Sequence, residues 1–148
     1  MSRFQTTPTL WTFMNDPAFV RVAGGPIGSG KSVCCVHELV RLAVQQQPNE
    51  RGERLSRSLI VRNTFDQLRS TTQKTFFSWF AHGEWGTYKA SEKTFYMDHA
   101  LPDGTRLKAE FAFMPLDTPD DVRKALSLEL TFLWANEWRE IHPEVVDG

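Results

Sequence analysis

Hydrophobic positions change their period several times along the chain, and each change marks an expected element. Phe19 to Ala23 is a short apolar run that reads as a strand, closed by Gly24-Gly25-Pro26. From Lys31 the spacing becomes helical. Val33, Val36, Leu39, Val40, Ala43 and Val44 fall on one face. Gln45 to Arg57 is polar, contains Pro48 and Gly52, and reads as an exposed connection. Ser58 to Val61 is a second strand of buried type. A helix is expected directly after it, because Thr64 and Gln67 stand in capping-box spacing and Leu68, Phe76, Trp79 and Phe80 supply an apolar side. Gly83 and Gly86 break that helix.

The second half is read the same way. Thr94–Met97 and Arg106–Phe113 flank Leu101-Pro102-Asp103-Gly104, the signature of a β-hairpin, and Leu107, Ala109, Phe111 and Phe113 alternate as in a half-buried strand. Thr118-Pro119-Asp120-Asp121 combines a capping hydroxyl, a proline for the first turn and two acids for the positive helix end, so a short helix runs to about Leu126. Leu128 to Ala135 is a third buried-type strand, ending at Asn136-Glu137. Strands separated by helices argue for an α/β fold with a mainly parallel sheet flanked by helices, the hairpin being an insertion.

Composition changes this picture little. The 148 residues are 41% hydrophobic and 24% charged, with a formal net charge of −1. That is ordinary for one globular domain and supplies no overall positive field toward nucleic acid or anionic lipid. No membrane-length apolar run and no secretory leader stand out, so no membrane partner is expected. The adjacent Cys34 and Cys35 have neither metal-ligand nor redox spacing and suggest a reducing setting. His37, His82, His99 and His142 are scattered, which argues against structural zinc.

The candidate chemistry lies between the first strand and the first helix. Gly25-Pro26-Ile27-Gly28-Ser29-Gly30-Lys31-Ser32 satisfies G-x-x-x-x-G-K-[ST] at every fixed position. Gly28 and Gly30 free the backbone to turn its N–H groups onto phosphate oxygens. The helix end adds its dipole, Lys31 reaches the β- and γ-phosphates, and Ser32 offers a hydroxyl to Mg²⁺. ATP and Mg²⁺ are therefore the expected cofactors. At the end of the third strand, Glu137 is the candidate general base toward water. Asn136 is a candidate metal-side ligand through its carbonyl oxygen, standing where an aspartate is more usual.

Three segments together resemble the ATPase domain of tailed-phage terminase large subunits. They are Gly24 to Ser32, Val61 to Arg69, and Leu126 to Val146. The most specific stretch is Ala135-Asn136-Glu137-Trp138-Arg139-Glu140-Ile141, similar to the Asn-Glu-x-Arg-Glu-Ile stretch that many of these proteins carry after the Walker B strand. The resemblance implies a P-loop NTPase of the additional-strand, RecA-like type that hydrolyses ATP to package viral double-stranded DNA. It implies a homo-oligomeric ring on a portal protein, a small terminase subunit as partner, and the cytoplasm of an infected bacterial host. Phe4-Gln5 and Pro8 match an adenine-contacting segment only loosely and read better as an ordinary N-terminal arm. Arg62, Arg69, Arg123 and Arg139 are all arginine-finger candidates, none of them assigned.

The resemblance covers almost the whole chain and stops at Gly148, so the expectation is an ATPase domain, residues 1–148, incomplete at its C-terminus and without the nuclease domain. Such a chain is expected to bind ATP and hydrolyse it poorly alone. Two other classes compete: a P-loop kinase for a small molecule or nucleoside, and a non-catalytic nucleotide-binding remnant acting as an interaction module. A helicase-like or recombinase ATPase shares the chemistry and lacks the Asn-Glu-x-Arg-Glu-Ile stretch.

Overall fold

A computed structural model of the chain describes residues 31–136. Helix α1 spans Lys31–Val44, and β1 spans Glu53–Arg62. A compound helix follows, made of a short α2 (Phe65–Gln67), a π-helical stretch (Leu68–Gln73) and α3 (Lys74–Trp79). Then come β2 (Gly86–Lys89), β3 (Thr94–Ala100), β4 (Arg106–Pro115), α4 (Pro119–Leu126) and β5 (Phe132–Ala135). The expected strand at Phe19–Ala23 lies outside the described residues.

The five strands among the described residues form one mixed sheet in the order β2-β3-β4-β1-β5. β1 pairs in parallel with both β4 and β5, whereas β2-β3 and β3-β4 are antiparallel. The α/β class expected from the sequence is present, but among the described strands the sheet is mixed rather than mainly parallel, with two pairings of each kind, and the hairpin is not an insertion. Its second strand, β4, is the middle strand of the sheet, and all ten residues of β1 from Glu53 to Arg62 find a partner on it. The same pairing corrects the start of β1. Glu53 to Arg57 was expected to be connection, yet it is strand, because β4 offers it a full parallel ladder from Arg106 to Glu110.

Alternation along β4 explains the two faces of the sheet. Leu107, Ala109, Phe111 and Phe113 point to one side, where they bury against α1 and the compound helix. From α1 come Val36, Leu39, Val40 and Ala43; from the compound helix come Leu68 and Phe76, with Phe80 just past its end. Phe76 has no exposed surface and meets the rings of Phe77, Phe80, Phe95, Phe111 and Phe113 at centroid distances of 5.1–5.8 Å. On the opposite side Leu59, Val61 and Leu116 form a smaller core with Ala125, Leu128 and Leu130.

The remainder of that second face includes the exposed Leu55 and is crossed by ion pairs, Arg57 with Glu110 at 2.7 Å and Lys108 with Glu53 at 2.9 Å. Exposed pairs of this kind add little stability. β5 is shorter and less buried than the expected run from Leu128 to Ala135. It has only four residues, and Leu133 is 55% exposed.

Local signals set the helix starts. Thr118 accepts from the Asp121 amide while the Asp121 carboxylate takes the amides of Thr118 and Asp117, a complete capping box. Thr64 caps α2 by accepting from the Gln67 amide at 3.2 Å, but the reciprocal bond expected from Gln67 is not made, and its Oε1 is buried without a partner among the described residues. No helix among the described residues is long and apolar enough to cross a membrane.

Candidate nucleotide site at the strand tips

Of the expected phosphate cradle, Lys31 and Ser32 are described; Gly25, Pro26, Ile27, Gly28, Ser29 and Gly30 lie outside the described residues, as does Glu137. Lys31 and Ser32 are the first two described residues of α1, and both are partly accessible. The first turn of α1 contains no acidic residue. The contrast with α4 is informative. There Asp120 and Asp121 neutralise the positive helix end from within the chain. In the first described turn of α1 a lysine stands instead. The helix packs against β1, β4 and β5 through the face led by Val36, Leu39 and Val40.

The second part of the site is at the C-terminal tips of the adjacent parallel strands β1 and β5. In open α/β sheets this edge is where ligands gather. Asn136 follows β5 directly, its amide donating to the Val61 carbonyl at 2.9 Å, so the end of β5 is fixed on β1. Its side chain is drawn inward, and the residue is only 8% exposed. Nδ2 donates to Thr72 Oγ1 at 2.7 Å, which commits the amide nitrogen and keeps the carbonyl oxygen Oδ1 as the acceptor. One strand over, Arg62 ends β1. Its Nη1 donates to Thr71 Oγ1, which in turn donates to the Gln67 carbonyl at 2.6 Å. Two consecutive threonines of the π-helical stretch therefore hold polar side chains from two neighbouring strand tips.

Sequence reasoning did not single out Thr71 or Thr72. A signal was present: Ser70-Thr71-Thr72 places three hydroxyl residues inside a helix, where each competes for backbone hydrogen bonds. The helix responds by widening to π geometry from Leu68 to Gln73, an arrangement frequent at functional sites. Of the arginines considered, Arg69 pairs with Asp66 at 3.5 Å and Arg123 pairs with Asp120, both on exposed helix surfaces. Arg62 alone of the described candidates stands at the strand tips, and Arg139 lies outside the described residues.

Mg²⁺ demands few protein ligands, since it keeps several waters and takes phosphate oxygens for much of its shell. The donors on offer fit that habit: one hydroxyl at Ser32 and one amide oxygen at Asn136, the latter oriented by Thr72. Neither carries charge, so the phosphates would have to supply it. No group of three or more His, Cys, Asp or Glu side chains capable of holding a metal occurs among the described residues. No protein-family profile matches the chain, and no curated protein and no solved structure matches it.

Proposed function

We propose that this chain is the ATP-binding and ATP-hydrolysing domain of a motor that packages viral double-stranded DNA, of the terminase large-subunit type. The observation that carries the reading is the unbroken G-x-x-x-x-G-K-S string from Gly25 to Ser32, running into a fourteen-residue helix whose first turn bears Lys31 and no acid. In this reading the backbone of Gly25 to Gly30 cradles the phosphates. Lys31 supplies a point charge to the β- and γ-phosphates, and Ser32 and Asn136 face Mg²⁺ and its waters. Mg²⁺, when bound, neutralises charge on the phosphate oxygens. Glu137, the residue after Asn136, orients and deprotonates the attacking water. The finer assignment to a packaging motor rests on the Ala135 to Ile141 stretch, and with it come the portal protein, the small terminase subunit, a ring of identical subunits and the cytoplasm of an infected bacterium.

Equilibrium binding of a fluorescent ATP analogue, paired with a turnover assay with and without double-stranded DNA, tests the proposal. Lys31→Ala should weaken binding roughly 10- to 100-fold, the worth of a charge-assisted contact to phosphate. Glu137→Gln should leave binding intact and lower whatever turnover the chain has by about 10²- to 10⁴-fold. Undiminished binding in Lys31→Ala would sink the nucleotide site. The neutral Asn136 at the metal side favours a second reading, a nucleotide-binding module without turnover. Binding that is lost in Lys31→Ala, with no hydrolysis to lose in Glu137→Gln, selects it.

A further inference from the structure

We infer that Thr72 is a positioning residue for the nucleotide site, acting through Asn136. The inference rests on the reading of Asn136 as a metal-side ligand and adds what that reading lacks, a reason for a neutral amide to present its oxygen. An asparagine side chain can turn either its nitrogen or its oxygen toward a cation, and only the oxygen is useful. At the tip of β5 the choice is made by one contact. Thr72 Oγ1 accepts from Asn136 Nδ2 at 2.7 Å, and it is the side chain's only hydrogen-bond partner among the described residues. With the nitrogen held on the helix side, Oδ1 faces away from Thr72.

Thr72 is itself buried. It is 1% exposed and sits in the π-helical stretch between the buried residues Leu68 and Gln73. The neighbouring residue Thr71 takes the Arg62 side chain, so the same stretch fixes both strand tips from one side. A hydroxyl is the group required at position 72. Valine would fill the same volume but offer no acceptor, and an unanchored amide would be free to rotate. Groups that orient a metal ligand in this way characteristically govern affinity by one to two orders of magnitude.

The test uses the full chain, wild type, Thr72→Val and Thr72→Ser, with two readouts. The first is hydrogen exchange of the Asn136 side-chain amide by NMR in the nucleotide-free protein. The second is affinity for a fluorescent ATP analogue with Mg²⁺ and with EDTA. In wild type the Asn136 amide protons should exchange slowly, and Mg²⁺ should tighten nucleotide binding. Thr72→Val should lose that protection and weaken binding about tenfold in Mg²⁺ while leaving the EDTA value unchanged, and Thr72→Ser should restore both. Equal weakening with and without Mg²⁺ would mean a purely structural role and overturn the proposal, as would an unprotected Asn136 amide in wild type. A wild-type chain that binds no nucleotide in either buffer overturns the nucleotide reading and this proposal together. Nucleotide binding with no Mg²⁺-linked loss in Thr72→Val overturns this proposal alone.

Discussion

A Cβ placed on Gly86 would lie 2.1 Å from the Tyr96 carbonyl oxygen and 2.7 Å from Met97 Cα, both of them backbone atoms of the paired strand. Neither can swing away as a side-chain tip would, so Gly86→Ala must push β2 off β3. The expected cost is ~1–3 kcal/mol, in the range of overpacked positions, read as a lower urea midpoint with an unchanged m-value. A midpoint equal to wild type would mean that the two strands do not pair closely at this point. The sequence pattern marks Gly83 and Gly86 alike as helix breakers, and the helix does end before both. Their reasons differ, however. Gly83 takes a positive φ of 88°, a local property of its own backbone, whereas Gly86 is small because another strand passes over it. The second reason depends on a residue ten positions away and is invisible in a local pattern. Thr72 is the same kind of case at the site. Its hydroxyl has a role only because Asn136, 64 residues later, arrives beside it.

Elements whose cause is local were legible, and those whose cause is a distant partner were not. α4 carries its cap, its proline and its acids within four residues, and it forms where they stand. α1 follows from its apolar period, with one addition: Glu38 is buried among the apolar residues, held by a two-pronged contact to Arg41 at 2.7 Å. The first half of β1, by contrast, is polar and lacks a strand pattern, and it is strand because β4 pairs with it. The turn between β3 and β4 is a local element that can be tested directly. Asp103 accepts from the Thr105 hydroxyl and from the Thr105 amide, and Arg54 reaches it from β1. These contacts, the Thr105 hydroxyl first, hold its pKa down to about 2. A depressed carboxylate stabilises the folded state above its unfolded pKa of about 3.9, and that contribution is lost as pH falls through about 2. A carboxyl-carbon NMR titration should therefore find Asp103 ionised down to about pH 2. Thr105→Ala should move the midpoint up toward the ordinary aspartate value. An ordinary midpoint in the wild-type chain would show that the turn does not hold its acid.

For the whole molecule, the decisive feature is that one strand, β4, joins two kinds of pairing. It closes the antiparallel β2-β3-β4 unit and begins the parallel β4-β1-β5 unit, whose C-terminal tips carry the candidate site. An inserted hairpin of β3 and β4 would be separable from that site. The sheet makes them its support, since β1 lies between β4 and β5 and is fixed on both edges. The link is reinforced across the inner face by Phe76. Its ring lies 5.1–5.6 Å from those of Phe95 on β3 and of Phe111 and Phe113 on β4, and its helix continues back into the π-helical stretch that holds Arg62 and Asn136. Truncating a fully buried phenylalanine costs ~3–5 kcal/mol, a large share of the ~5–15 kcal/mol that holds a typical domain together. Phe76→Ala should therefore lower the urea midpoint steeply, and it should also speed exchange at the Asn136 side-chain amide, because the helix that carries Thr72 loses its seat on the sheet. Phe77→Ala, at a partly exposed ring on the same helix, should cost less and leave that amide protected. Equal losses from the two would place the support for the strand tips somewhere other than Phe76.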